Sequence, residues 1–134
     1  MRSLVTLILL TLTLASCGLV GEDDDSELTV TVVKGIELAP VDLGQANGPV
    51  ARYLADSQLI VFVSGPLYSG SCPPAAEAKA SGNGSVTLTL ESPDGDCTAD
   101  ANRYTFLIQG VADTPSDLVV KEGALEDIEL DVSE

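Results

Sequence analysis

Histidine and tryptophan are absent from this 134-residue chain, methionine occurs once, and aromatic residues make up only 4% of it. Without histidine the chain lacks the side chain that most often serves as general base and as metal ligand. Most hydrolytic and metal-dependent mechanisms therefore start without their usual parts. Positive charge is scarce as well: six lysines and arginines stand against 21 acidic residues, for a net charge of −15. Neutralising phosphates takes Lys and Arg, so this balance speaks against nucleic acid as a partner and against polybasic adhesion to anionic lipid. No apolar run is long. Leu4 to Leu14 is interrupted by Thr6, Thr11 and Thr13. Such a segment, at about 1.5 Å per residue, reaches only about half of the roughly 30 Å that a spanning helix must cross.

What is present begins at that same N-terminus. Met1-Arg2 supplies one positive charge, a short apolar core follows, and small residues close it. These are the marks of a secretory signal that is removed from the mature protein. Leu14-Ala15-Ser16-Cys17 resembles the bacterial lipobox, a leucine, two small residues and a cysteine. The resemblance to lipobox lipoproteins implies diacylglycerol transfer to the Cys17 thiol, cleavage before Cys17, and acylation or retention of the new amino terminus. Residues 1–16 are then a signal peptide, and the membrane itself is the first partner. The expected location is the extracytoplasmic face of the cell membrane, held by lipid. Each buried methylene contributes about 0.8 kcal/mol, and two or more acyl chains make such attachment stable where one is marginal. Cleavage leaves 118 residues, one domain's worth and enough to bury roughly two-thirds of the unfolded surface.

Residues 17–27 read as the lipidated N-terminus and an acidic linker, because Glu22, Asp23, Asp24, Asp25 and Glu27 repel one another and keep the backbone extended. Calcium capture by the three aspartates of this run would lack the fixed oxygen cage that gives affinity. With Cys17 committed to lipid, Cys72 and Cys97 remain. An even pair in an exported chain reads as one disulfide. A metal pair is the alternative, but two thiolates without histidine or further cysteine cannot close a zinc site.

Over residues 28–134 the periodicity predicts strands. Leu28, Val30 and Val32 alternate with threonines, as do Val86, Leu88 and Leu90. Tyr104, Phe106 and Ile108 repeat the pattern, Leu118 to Val120 adds a short run, and Ile128, Leu130 and Val132 alternate with acids. Gln58 to Val63 is apolar on both faces, which suits a central strand buried on two sides. Residues 49–54 have Val50, Tyr53 and Leu54 at helical spacing, yet a strand feeding residues 58–63 fits better; Ala124 to Asp127 has the makings of a helical turn. Asn83-Gly84 is the best hairpin signal, because both residues tolerate positive φ. Short strands at steady spacing without a long helix predict an all-β fold, an immunoglobulin-like antiparallel β-sandwich with one disulfide. Pro73 and Pro74 cannot donate to a ladder and should mark an edge or a corner where the chain changes sheets.

Ser71-Cys72-Pro73-Pro74, a glycine-centred hairpin and Cys97-Thr98-Ala99-Asp100 together resemble a group of uncharacterised actinobacterial envelope lipoproteins, over roughly residues 50–110. The resemblance implies a secreted β-sandwich-like domain with a disulfide between Cys72 and Cys97, and it implies no activity. Asp94, Asp96 and Asp100 occupy positions 1, 3 and 7 of an EF-hand count, but Ala99 stands where that loop needs glycine, and no glutamate follows at its end. A solvated acidic turn is the expectation there, with a small-ligand or weak calcium-binding module built on Asp94–Asp100 as the alternative. Paired carboxylates for glycoside chemistry need an apolar pocket, whereas these acids fall in turns and on polar faces. A Ser–Lys dyad is the remaining nucleophilic option, and neither Lys34 nor Lys79 follows a Ser-x-x-Lys spacing. The expected function is that of a non-catalytic structural or protein-binding domain without cofactor, which contacts another envelope protein or simply occupies the cell surface. Of Tyr53, Tyr68 and Tyr104, Tyr68 is the candidate for an exposed partner contact, since tyrosine is enriched at binding hot spots.

Overall fold

The computed structural model describes residues 26–35, 48–66, 68–121 and 130–133. Residues 1–16, expected as a signal peptide, Cys17, residues 18–25 of the expected acidic linker, and residues 124–127 and Ile128, expected as a helical turn and the start of a strand, lie outside the described residues. Among the described residues eight strands follow in chain order: β1 Ser26–Lys34, β2 Val50–Leu54, β3 Leu59–Val63, β4 Ala75–Ala80, β5 Ser85–Glu91, β6 Tyr104–Gln109, β7 Asp117–Lys121 and β8 Leu130–Ser133. Their hydrogen-bonded order is β7-β5-β4-β1-β6-β3-β2-β8.

β1 divides that order into two layers. Its first residues, Ser26 to Leu28, pair antiparallel with Ala80 to Ala78 of β4, and Thr29 to Lys34 pair antiparallel with β6. One layer is therefore β7-β5-β4-β1 and the other β1-β6-β3-β2-β8, and a single hydrophobic core gathers side chains from both. Leu88, Val86, Leu118 and Ala78 come from the first layer, and Ile60, Phe62, Tyr53, Phe106 and Ile108 from the second. The alternating apolar residues of each strand are the ones turned inward, as a period of two requires. Leu28, Val30 and Val32 pack against this core from β1. The result is the all-β, one-disulfide sandwich that the strand spacing predicts.

The pairing departs from the expectation at both outer edges. Antiparallel ladders hold the interior, but β7 runs parallel to β5 and β8 runs parallel to β2. The sheets are mixed rather than purely antiparallel. A parallel neighbour needs a crossover of about a dozen residues or more, and here residues 92–116, which include β6, separate β7 from β5, while residues 55–129 separate β8 from β2.

Two local expectations are sharpened. Ile60, Val61, Phe62 and Val63 are all fully buried, so β3, flanked by β2 and β6, is the doubly buried central strand. The β4–β5 hairpin turns as Ser81 N–H donates to Ser85 O at 2.8 Å and Gly84 N–H to Ser81 O at 3.0 Å. Only Gly84, at φ +87°, is left-handed there, while Asn83 uses its side-chain oxygen to accept from Ser85 N–H at 3.0 Å. This is a three-residue loop with a glycine bulge, not the two-residue turn in which both residues take positive φ.

Candidate functional site

Three connections meet beyond the ends of β3 and β6, and they hold most of the residues singled out in the sequence. Ser64, fully buried, continues the β3–β6 ladder: its N–H donates to Tyr104 O at 2.9 Å and its Oγ accepts from Tyr104 N–H at 3.0 Å. Arg103 Nε donates to Ser64 O at 3.0 Å and its Nη2 to Gly48 O at 2.8 Å, which spends this cation on tying loops together. Tyr68 and Asn102 then form an isolated antiparallel bridge. From there residues 69–74 lead out of the second layer into β4 of the first, so Pro73 and Pro74 do sit where the chain changes sheets.

The Cys72–Cys97 disulfide joins this corner to the β5–β6 connection, with Cα atoms 5.7 Å apart. Beside it stands a cluster of hydroxyls around one carboxylate. Ser69 Oγ lies 3.0 Å from Ser71 Oγ and 2.9 Å from Thr98 Oγ1, and Thr98 N–H donates to Ser71 Oγ at 2.9 Å. Asp100 accepts from the Thr98 hydroxyl, from Gly70 N–H at 3.1 Å and from Asn102 Nδ2 at 2.5 Å. A Cβ on residue 70 would run into the Lys34 ammonium and stand 2.5 Å from Asp100 Oδ2 and 2.8 Å from Asn102 Nδ2, so any larger residue there would push these side-chain ends aside. Lys34, at the end of β1, reaches Gly70 O at 3.4 Å.

The Thr98 hydroxyl first, then Gly70 N–H and the Asn102 amide, hold the Asp100 carboxyl well below the usual carboxylate range. All three donate to the charged form and stabilise it. A carboxylate held so low is a poor proton acceptor at neutral pH, because an effective base needs a pKa near the working pH. Through these hydrogen bonds the cluster pins the two cysteine loops together. A lowered folded pKa also sets a direction for acid: the contribution of Asp100 is complete above its unfolded pKa and fades as pH falls below about 4 toward the folded value. Amide resonances of Gly70 and Thr98 are expected to move only in that acid range, and Asp100→Asn should erase the movement in an NMR titration. Because the carboxylate is exposed, the melting temperature should change little.

The three aspartates of the EF-hand count are not brought together. Asp94 and Asp96 are exposed, Asp100 is engaged with its own loops, and among the described residues no group of three His, Cys, Asp or Glu side chains is placed to hold a metal ion. Tyr68 corrects the expectation made for it. It is only 5% exposed, its ring meets that of Tyr104 edge-on at 5.9 Å, and it belongs to the core. Tyr104, also buried, donates its hydroxyl to Ser69 O at 2.9 Å. Tyr53, also buried, donates to Val111 O at 3.3 Å from the second layer. The Ser69–Ser71–Thr98 cluster went unseen in the sequence, although one signal was available: once Cys72 and Cys97 are bridged, Ser71 and Thr98 flank the bridge on opposite strands of chain.

At the opposite end a shallow hollow of about 290 Å³ is lined by Ser81, Gly84, Ser85, Val111, Asp113 and Pro115 among others. One carboxylate and three hydroxyls line it, without a partner base among its lining residues. Compared with protein-family models, with curated proteins and with solved structures, the chain has no match in any of the three.

Proposed function

We propose that the protein is a lipoprotein of the cell envelope, held through Cys17 to the extracytoplasmic face of the membrane, whose β-sandwich is a non-catalytic structural or protein-binding module. The observation that carries this reading is the disulfide between Cys72 and Cys97, since such bonds persist in oxidising compartments outside the cytoplasm. The lipobox-like Leu14-Ala15-Ser16-Cys17 agrees with it, and so does the excess of acid over base, which keeps a tethered domain solvated and off an anionic surface. The site beside the disulfide supports the non-catalytic part, because its carboxylate and hydroxyls are turned toward one another.

The anchor is tested by intact mass and by fractionation. Protein from native membranes is expected to begin at Cys17 and to carry the added mass of its acyl chains. Cys17→Ser should move the domain from the membrane to the soluble fraction. A chain that begins at Met1 without added mass, or a Cys17→Ser protein that stays with the membrane, would refute it.

A further inference from the structure

β7 is an outermost strand, and its residue order is complementary to itself. One edge of Asp117–Lys121 is bonded to β5, from Ser85–Asp117 to Thr89–Lys121. Among the described residues no strand pairs with the other edge. Natural edges are usually blunted by proline, an internal charge or a bulge. β7 has none of these inside it: Leu118, Val119 and Val120 are apolar, and the charges stand only at its ends, negative at Asp117 and positive at Lys121.

We propose that β7 is a homodimerisation edge, pairing antiparallel with β7 of a second copy of this chain about a two-fold axis through Val119. In an antiparallel pair, residues directly opposite share a face of the sheet. With Val119 opposite its own copy, Asp117 of each chain lies opposite Lys121 of the other. Leu118 likewise lies opposite Val120. The faces agree with burial. Leu118 and Val120 are turned into the core, whereas Asp117, Val119 and Lys121 line the outer face. A shift by one residue would oppose inward and outward side chains, and a shift by two would lose both ion pairs. Face parity and charge thus select one register. The contact is isologous, the commonest symmetry of homo-oligomers, and it makes one layer continuous across both molecules. A strand of five residues buries less than the roughly 1,000 Å² of a permanent interface, so the dimer is expected to be weak and reversible. The inference rests on the protein-binding part of the proposed function and is independent of the anchor, which Cys17→Ser fractionation tests alone.

The test uses the full chain in detergent, by sedimentation at concentrations up to about 0.1 mM. The wild type is expected to shift from monomer to dimer with concentration. Asp117→Lys sets lysine against Lys121, and Lys121→Asp sets aspartate against Asp117, so each alone should weaken the dimer about tenfold or more. Mixing the two variants should restore it, because every opposed pair is then of opposite sign. Val119→Cys should cross-link to a covalent dimer under mild oxidation, since two-fold partners there lie within disulfide reach. A wild type that stays monomeric overturns the proposal. So does a dimer that Val119→Cys fails to trap or a mixture that fails to recover, because that dimer uses another surface or register.

Discussion

Phe106→Ala is expected to destabilise the sandwich by about 3–5 kcal/mol, as large aromatic truncations in a closed core do. Phe106 is fully buried in the middle of β6, the strand bonded to β1 on one side and to β3 on the other. Its ring stacks on that of Phe62 at 5.6 Å between centroids, with 29° between planes, and these two are the only phenylalanines in the chain. With few aromatics to share the load, neighbouring valines and isoleucines cannot collapse into the space the ring leaves, since β-branched side chains have little rotamer freedom. For a domain of this size each kcal/mol moves the melting temperature by roughly 4–8 °C, so the loss should exceed about 12 °C. Urea unfolding should show a lower midpoint with an unchanged slope. A loss below about 1 kcal/mol would place β6 outside the centre of the fold.

Opening the Cys72–Cys97 bond, by reductant or by Cys72→Ser with Cys97→Ser, is expected to cost about 3.5 kcal/mol in the chain-entropy account, given the 25-residue separation of the cysteines. That effect arises mainly in the unfolded chain, which gains freedom when the link is gone. Cys97 is exposed and Cys72 half-buried, outside the hydrophobic core, so the folded sandwich should keep its strand signal in circular dichroism while melting about 15 °C lower. An unchanged melt on reduction would mean that the hydroxyl cluster and the Tyr68–Asn102 bridge already hold these loops without the sulfur link.

The two expectations differ in how they could be anticipated. Alternation made the inward residues of β1, β5 and β6 legible, because a half-buried strand writes its two faces directly into the order of residues. The unbroken apolar run in β3 announced a strand covered on both sides for the same reason. Partnership between strands is not written that way. Nothing local to Ser26–Lys34 says that Leu28 ends its pairing with β4 and Thr29 begins one with β6, since the switch depends on where two distant strands lie. The parallel edges β7 and β8 were hidden likewise, and Tyr68 misled because a tyrosine among glycine, proline and serine has the composition of an exposed loop. Its burial comes from Tyr104, 36 residues later. The disulfide was the exception among long-range contacts, because a bridge advertises both of its ends.

β1 has a consequence for the order in which the molecule is completed. It is made before every other described strand, yet its partners are residues 78–80 and 104–109, so it has no finished ladder until most of the chain has been synthesised. Such distant pairing slows folding. The first strand born is among the last to be secured, and its longer ladder waits for β6.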